Sequence, residues 1–373
     1  MSANYFPSLS SLSSDPSSIS ISFGGGVIVV VGVLGFVVAT CGYLRCIRFI
    51  VEKTNAESRR VTLPMVQFLD DMESEKPIRF TSKQLRLATN NFKTKLGSGG
   101  FGTVYKGVIG NNQVAVKVLN GISKERVEEQ FMAEVSTMGR THHFNLVRLY
   151  GFCFGSSLIA LVYEYMVNGS LDNHLFKKNN EAMIQFDKLH EIAVGTARGI
   201  AYLHEDCAQR IVHYDIKPGN ILLDSNFCAK VADFGLAKLC NRDNSHISLA
   251  VGRGTPGYAA PEIWMCLHVT HKCDVYSFGM LLFEITDRRR RDMAVIHDIR
   301  EWFPVCVWEK YEKNQLEDLI KDCKIEEKDH EVVKRMLKVA LCCVQYKPET
   351  RPSMSFVVKM LEGHILELLC LSL

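Results

Sequence analysis

Residues 211–224, IVHYDIKPGNILLD, carry several strongly polar side chains in a stretch that is otherwise suited to burial. Asp215, Lys217 and Asn220 lie within six residues of one another, between isoleucines and leucines. A polar group that leaves water without a partner costs free energy, so each of these side chains needs a partner from the protein or from a charged ligand. A fold that contains this stretch must therefore build a polar site in an apolar setting.

Composition excludes several classes of protein. The 373 residues are 47% hydrophobic and 23% charged, which is ordinary for a globular protein. The 44 Lys and Arg residues nearly balance the 41 Asp and Glu residues, and a net charge of +3 does not indicate nucleic-acid binding. The 13 cysteines lack metal-ligand spacing and none precedes Cys41, which favours reduced thiols over a disulfide scaffold.

Residues 24–44, GGGVIVVVGVLGFVVATCGYL, form an uncharged apolar run that is long enough to cross a hydrocarbon core of about 30 Å as a helix. A buried core helix is the alternative, but soluble helices of this length rarely lack a polar face. Residues 1–23 contain no Lys or Arg, whereas Arg45, Arg48 and Lys53 follow the run. The positive-inside rule therefore predicts a single-pass protein with its N-terminus outside and the remainder in the cytoplasm.

The segments that flank the apolar run predict no large domain. Residues 1–23 are short and Ser-rich, and we expect them to be a disordered extracellular segment. Residues 45–90 mix charge clusters with two prolines, and we interpret them as a juxtamembrane linker with a short helix near SKQLRLATNNF. A globular pattern follows, strand-rich with one helix as far as residue 165 and mostly helical from residue 170 to 366.

A Gly-rich segment, LGSGGFGTVYKG at residues 96–107, has the spacing GxGxxG at Gly97, Gly99 and Gly102. Glycines allow a backbone to approach a phosphate chain closely. The same spacing also opens dinucleotide-binding helices, but the residues from Thr103 to Tyr105 are strand formers. The segment therefore favours a hairpin that covers phosphates.

A lysine and a glutamate are predicted to pair next to this hairpin. In VAVKVL, residues 114–119, period-two alternation sets Lys117 on the face opposite the valines, although an edge lysine that reaches water is the alternative. Residues 124–138 have helical spacing, and Glu134 lies within their apolar stripe. The stripe consists of Val127, Phe131, Val135 and Met138. Since an inward carboxylate needs a cation, Lys117 is the natural partner of Glu134.

The polar side chains of residues 211–224 can be explained in the same way, by a charged ligand. Asp215 and Asn220, in a loop before a short strand ILL, can place one carboxylate at a substrate hydroxyl and one amide at a metal ion, and Lys217 can neutralise a transferred phosphoryl group. Asp233 in VADFG supplies a second acid, and Gly235 permits the turn that aims it. Two hard oxygen ligands near phosphates suit Mg²⁺.

The ordered set GSGGFG, VAVK with Glu134, HYDIKPGN, DFG and APE (Ala260, Pro261, Glu262) resembles eukaryotic protein kinases over about residues 92–366. More narrowly, PIRFTSKQLRLATNNF, LVYEYMVNGSLD and GTPGYAAPE look like plant receptor-like kinases, and HYDIKPGNILLD resembles the rust-resistance branch. The resemblance implies an α+β, two-lobed kinase domain at residues 91–366. Its strand-rich N-lobe would occupy residues 91–165 and its mostly helical C-lobe residues 170–366, with a short tail at 367–373.

The resemblance also implies residue roles and cofactors. ATP and Mg²⁺ are the expected cofactors, with Asp215, Lys217 and Asn220 as catalytic residues and Asn220 and Asp233 as metal ligands. The residues expected to bind ATP are Leu96, Gly97, Ser98, Gly99, Gly100, Phe101, Gly102, Thr103, Val104, Ala115, Lys117, Glu134, Glu164, Met166 and Leu222. Asp274 would brace the catalytic loop, and Arg351 would pair with Glu262.

One position departs from the family pattern. The family commonly has Arg between the catalytic-loop His and Asp, where this chain has Tyr214. That Arg normally meets a phosphorylated residue of the activation loop, and a tyrosine carries no positive charge for this contact. We therefore expect that activity does not depend on the usual phosphate-to-Arg switch, even if Ser245 and Ser248 are phosphorylated.

The expected function is that of a Ser/Thr protein kinase of a plant, anchored by one span in the plasma membrane, with protein substrates and a co-receptor that supplies the ligand-binding domain. The alternative is a pseudokinase that acts as a membrane-tethered scaffold. A third interpretation is that the chain is a shortened form of a longer receptor. No nucleic acid is expected as a partner.

Overall fold

The computed structural model describes residues 77–121, 123–176, 184–240, 254–265, 268–287, 302–323 and 325–365. Its N-terminal part is built around a six-stranded sheet. In chain order its strands are β1 (Ile78–Arg79), β2 (Lys95–Gly99), β3 (Gly102–Ile109), β4 (Asn112–Val118), β5 (Leu149–Gly155) and β6 (Leu158–Glu164). Their order in the sheet is β1-β5-β6-β4-β3-β2. Only the β1–β5 pair is parallel among these neighbours.

Two helices cover this sheet. Helix α1 (Ser82–Ala88) begins at Thr81, which exchanges capping hydrogen bonds with Gln84, and it confirms the short helix predicted near SKQLRLATNNF. Helix α2 (Lys124–Met138) begins at the capping residue Ser123 and has the bounds that its apolar stripe predicts. Phe131 of α2 packs edge-on against Phe152 of β5, with 5.6 Å between the ring centroids.

The second half is mostly helical. Its helices are α3 (Asp172–Leu175), α4 (Phe186–Ala201), α5 (Pro261–Trp264), α6 (Lys272–Asp287), α7 (Phe303–Glu312), α8 (Leu316–Asp322), α9 (His330–Cys343) and α10 (Met354–Leu361). The buried α6 packs against α9, and α10 packs against α4. Short strands pair as β7 (Arg210–Val212) with β10 (Lys238–Cys240), and as β8 (Ile221–Leu223) with β9 (Ala229–Val231). A strand-rich lobe followed by a helical lobe confirms the predicted fold class.

Several expectations fall outside the described residues, namely the outer segment 1–23, the apolar run 24–44, the linker as far as residue 76 and the tail 367–373. In the part of the chain that the structure describes, no helix has both the length and the apolar character that crossing a membrane requires. Strand β1 and helix α1, which the sequence analysis assigned to the linker, contribute to the sheet and its cover.

Candidate active site

The Gly-rich segment forms a hairpin, as its strand-forming residues predict. Ser98 pairs with Thr103 and Gly99 with Gly102, so the turn lies between β2 and β3. Gly102 has a φ of +135°, and a Cβ atom there would lie 2.1 Å from the carbonyl oxygen of Val118. Only glycine fits this position, since any other side chain would collide with the backbone of β4. The hairpin covers a cleft of about 490 Å³ between the two lobes.

Three charged side chains from distant parts of the chain meet in this cleft. The Nζ atom of Lys117 lies 2.5 Å from Oε1 of Glu134 and 2.7 Å from Oδ1 of Asp233. Lys117 and Glu134 are buried, and the Tyr163 hydroxyl donates a hydrogen bond to Oε2 of Glu134. The edge-lysine alternative is therefore wrong for Lys117.

Burial and charge oppose each other in this cluster. Burial alone would lower the pKa of Lys117, but the carboxylates of Glu134 and Asp233 raise it above its ordinary value. Burial raises the pKa of Glu134 against the opposing charge of Lys117. For Asp233 the balance is reversed: burial raises the pKa of this carboxyl, but the charge and hydrogen bond of Lys117, together with His213 and Lys217, lower it by more. Lys117 thus remains a cation, held at the place where the hairpin would cover phosphates.

The turn after β9 aims Asp233 into the cleft. Asp233 has a φ of +65°, a left-handed conformation that is uncommon for a residue with a side chain. A Cβ atom on Gly235 would lie 3.2 Å from Oε1 of Glu134 and 3.4 Å from Oδ1 of Asp233, so a larger residue would crowd both carboxylates. This agrees with the role that the sequence assigned to Gly235 in the turn.

The second group of predicted residues forms a hydrogen-bonded cluster around Asp215. Lys217 Nζ lies 2.7 Å from Oδ2 of Asp215, and Asn220 Nδ2 donates to the same oxygen at 2.9 Å. The Thr255 hydroxyl donates to Oδ1 of Asp215 at 2.5 Å and accepts from Lys217 Nζ at 2.8 Å. The Asp215 carboxylate is therefore held in one orientation by three side chains.

A buried carboxylate below the cluster fixes the backbone of this loop. Asp274 Oδ2 accepts the N–H of His213, and its Oδ1 accepts that of Tyr214, both at 2.8 Å. His204 Nε2 lies 2.9 Å from the same Asp274. Burial would raise the pKa of Asp274, but the contacts with His204 and with the loop lower it, so this group stays charged. The expected brace by Asp274 is present in the structure.

The structure places the predicted site residues as follows. Among the residues expected to bind ATP, all but Thr103 line the cleft, together with Lys217, Asn220 and Asp233. Asp215 does not line it, but is bonded to Lys217 and Asn220, which do. The role of each residue stays a prediction.

Metal binding would fall to Asn220 and Asp233. Asn220 turns its amide nitrogen toward Asp215, which leaves the amide oxygen available to a cation. The described residues contain no cluster of three or more His, Cys, Asp or Glu side chains that could hold a metal by themselves. Mg²⁺ in nucleotide sites is typically held by one or two protein ligands plus phosphate oxygens, so this sparse donor set fits Mg²⁺ bound with a nucleotide.

Sequence reasoning missed two residues of the site. Thr255 lies in GTPGYAAPE and Tyr163 in LVYEYMVNGSLD, two motifs that served only to recognise the resemblance to plant receptor-like kinases. A hydroxyl has no charge pattern or periodicity that would reveal its partner in advance. Their contacts with Asp215 and Glu134 depend on tertiary structure.

Comparison with known proteins agrees with this geometry. A family model described as protein tyrosine and serine/threonine kinase matches residues 90–361, and the chain therefore belongs to this kinase family. A G-type lectin S-receptor-like serine/threonine-protein kinase of Arabidopsis thaliana is 45% identical over 341 residues, which cover 90% of this chain and 40% of the relative. Rust resistance kinase Lr10 of Triticum aestivum is 43% identical, over 83% of this chain and 49% of its own length.

A third relative comes from the same branch. A leaf rust 10 disease-resistance locus receptor-like protein kinase of Arabidopsis thaliana is 43% identical, over 77% of this chain and 45% of its own length. The chain spans less than half the length of these three curated relatives. The resemblance to plant receptor-like kinases, including the rust-resistance type, is confirmed.

Proposed function

We propose that this protein is a Ser/Thr protein kinase that transfers the γ-phosphoryl group of ATP to hydroxyl groups of protein substrates. The observation that carries the proposal is the meeting of Lys117, Glu134 and Asp233 under a Gly-rich hairpin, in a cleft that Asn220 also lines. Phosphoryl transfer depends mainly on positioning and charge neutralisation, and these residues are suited to both.

ATP is proposed to bind with its adenine between Ala115 and Leu222 and with hinge backbone contacts at Glu164 and Met166, all of which line the cleft. Lys117, held by Glu134, would contact the α- and β-phosphates. Asn220 and Asp233 would hold Mg²⁺, which when bound supplies positive charge to the phosphate oxygens.

Asp215 is proposed to orient the substrate hydroxyl and to accept its proton, and Lys217 to neutralise the transferred group. The support is geometric, since Lys217, Asn220 and Thr255 hold both oxygens of Asp215 in place. A carboxylate that is already oriented needs no rearrangement during the reaction, which lowers the barrier of a positioned proton transfer.

The proposed setting is the plasma membrane. Residues 24–44 would form the single span, with residues 1–23 outside and the kinase domain, residues 91–366, in the cytoplasm after the linker 45–90. A co-receptor would supply ligand binding. These proposals rest on the apolar run, on the basic residues that follow it and on the receptor-like relatives.

The test is Mg²⁺-dependent phosphate transfer from ATP to a generic protein substrate by residues 77–373. We expect activity in the unmodified protein, its loss in Asp215→Asn, and its retention in Asp318→Asn, which makes the same chemical change at an exposed helix position. Nucleotide binding should survive Asp215→Asn, because that side chain does not line the cleft. Equal, background-level transfer by all three proteins would refute the proposal and indicate a scaffold.

A further inference from the structure

A second concave surface, of about 980 Å³, lies where the described part of the chain begins. We call it the β5 groove, and its main lining residues are Pro77, Ile78, Phe144, Arg148, Tyr150 and Lys230. Ile78 is 57% exposed and Phe144 is 65% exposed, so two large apolar side chains of this groove face water. Exposed apolar walls of this kind are typical of a surface that another segment or molecule covers.

The edge of the sheet in this groove is only partly paired. Strand β1 is the outermost strand, and in the described residues it pairs with β5 only at Gly151 and Phe152. Leu149 and Tyr150, which precede them on β5, therefore have no partner from β1 in this part of the chain. An edge of unpaired backbone groups is a template for a further extended segment.

Strands β1 and β5 approach each other closely at Gly151. A Cβ atom on Gly151 would lie 2.0 Å from the carbonyl oxygen of Ile78, so only glycine permits this approach. The N–H of Phe80 donates to Phe152 O at 2.7 Å. Because alternate residues of a strand face the same neighbour, the nitrogen of Pro77 faces away from β5, and the proline does not prevent the pairing from continuing toward earlier residues.

The groove also carries an excess of positive charge. The Arg148 guanidinium lies over the Tyr150 ring at 5.4 Å, and no described carboxylate forms an ion pair with it. Lys230 lies 3.5 Å from Glu164, the only carboxylate that lines the groove in the described part of the chain. One anion thus faces two cations, which leaves the charge of Arg148 unbalanced.

The chain that leads into the groove has the complementary composition. Residues 70–76, DDMESEK, contain four acidic residues and one lysine. Asp71, Glu73 and Glu75 recur at every second position, which sets them on one face of an extended segment. Glu75 lies three residues before Ile78 and Arg148 three residues before Gly151, although a β-bulge between Leu149 and Gly151 interrupts the register of β5.

We propose that residues 70–76 occupy the β5 groove as a continuation of β1, with Glu75 paired to Arg148. The occupant is the chain itself because residue 76 adjoins the groove through Pro77, which makes its local concentration far higher than that of a separate partner. The groove also shares Val147 and Glu164 with the proposed ATP cleft, so the docked segment would lie next to the end of β6.

Hydrogen exchange of the full chain tests this proposal without reference to kinase activity. We expect the amides of residues 71–76 to exchange at least about tenfold more slowly than in an unstructured chain. Arg148→Glu and Glu75→Arg should each remove most of this protection, and the double variant should restore it. Glu57→Arg, the same charge change earlier in the linker, should leave the exchange of residues 71–76 unchanged. Exchange at the unstructured rate in the unmodified chain would overturn the proposal.

A photocrosslink identifies the occupant and also covers the case in which a charge variant fails to fold. With p-benzoylphenylalanine in place of Ser74 of the full chain, which leaves Glu75 intact, we expect crosslinks to the segment 144–150 or to Lys230 of the same molecule. Isotope-labelled and unlabelled chains are mixed, so that a crosslink between two copies is distinguished by mass. Crosslinks only between copies, only to another protein, or only to a different surface would each overturn the proposal.

Discussion

Removal of the Glu262 carboxylate is expected to cost more stability than the loss of any exposed ion pair in the described residues. Glu262 and Arg351 are buried and form a bidentate ion pair, with Nη1–Oε1 at 2.6 Å and Nη2–Oε2 at 2.9 Å. The other Arg351 bonds go to the carbonyl oxygens of Gln345 (2.7 Å), Lys272 (2.9 Å) and Tyr346 (3.2 Å). All five N–H groups of this arginine thus have an acceptor.

The expected loss of unfolding free energy follows from the Arg351 donors that Glu262→Ala leaves without a charged acceptor. Two of the five Arg351 donors lose a charged acceptor, and hydrogen bonds to charged groups are worth about 1.5–3 kcal/mol each. A buried charge whose partner is removed costs about 3–5 kcal/mol, which agrees with that sum. In a domain of this size a loss of 3–5 kcal/mol lowers the Tm by roughly 6–20 °C.

Urea unfolding of residues 77–373, followed by fluorescence, measures this loss. Arg198→Ala is the matched control, because Arg198 and Glu362 form an equally short ion pair (2.5 Å) with Arg198 56% exposed. Exposed pairs contribute at most about 1 kcal/mol. Glu262→Leu combined with Arg351→Met should recover much of the loss, since it removes both charges. If Glu262→Ala costs no more than Arg198→Ala, the reasoning from burial is refuted.

Three further predictions concern groups that hold the site or the loop below it. Thr255→Ala removes a bond to Asp215 and should lower kcat by about 10- to 100-fold, with Thr255→Ser restoring it and the KM for ATP unchanged. Tyr163→Phe should cost about 1.5–3 kcal/mol in urea unfolding, because Glu134 loses a buried donor, and a loss below 0.5 kcal/mol would contradict this. Burial and the nearby charges lower the pKa of His271 from 6.5 to about 3, so the unfolded chain takes up a proton first as the pH falls from 6.5 toward 3. Stability should then drop by about 1.4 kcal/mol per pH unit through this group, and His271→Gln should reduce the measured slope by that amount.

Much of the fold follows from local pattern. The apolar stripe of residues 124–138 predicts helix α2 to its terminal residues, since the capping Ser123 and the spacing of Val127 and Phe131 act within the segment itself. Alternation in VAVKVL predicts β4 for the same reason. Strand β1 could not be predicted, because its two exposed residues have no period and their pairing depends on the close approach that Gly151 allows.

The parts of the site that could be predicted are those in which a buried charged side chain needs a partner of opposite charge. Glu134 in an apolar stripe implies a cation, and the structure supplies Lys117 at 2.5 Å. The additional bond from Lys117 to Asp233 joins residues 116 positions apart, and no local pattern contains that information. The same holds for Thr255, whose hydroxyl reaches Asp215 only because the two loops fold against each other.

The loop around Tyr214 keeps its shape without a positive charge at this position. Tyr214 has a φ of +68° and is 2% exposed, packed in an apolar cluster with Val212, Cys240 and Ile263. Because Asp274 binds the backbone N–H of residue 214, this contact does not depend on which side chain residue 214 carries.

An arginine at position 214 would bring a charge into that apolar cluster, and a phosphate on the activation loop is the group that would offset it. Tyrosine carries no charge for a phosphate to offset, and packing and the bond to Asp274 both hold this part of the loop. Ser245 and Ser248 lie outside the described residues, and changing both to Ala should leave turnover within about twofold, since Tyr214 offers no positive charge to a phosphate. Tyr214→Arg should instead lower the Tm of the unphosphorylated protein. Abolished turnover with intact ATP binding in the double Ser variant would show that phosphorylation holds the loop after all.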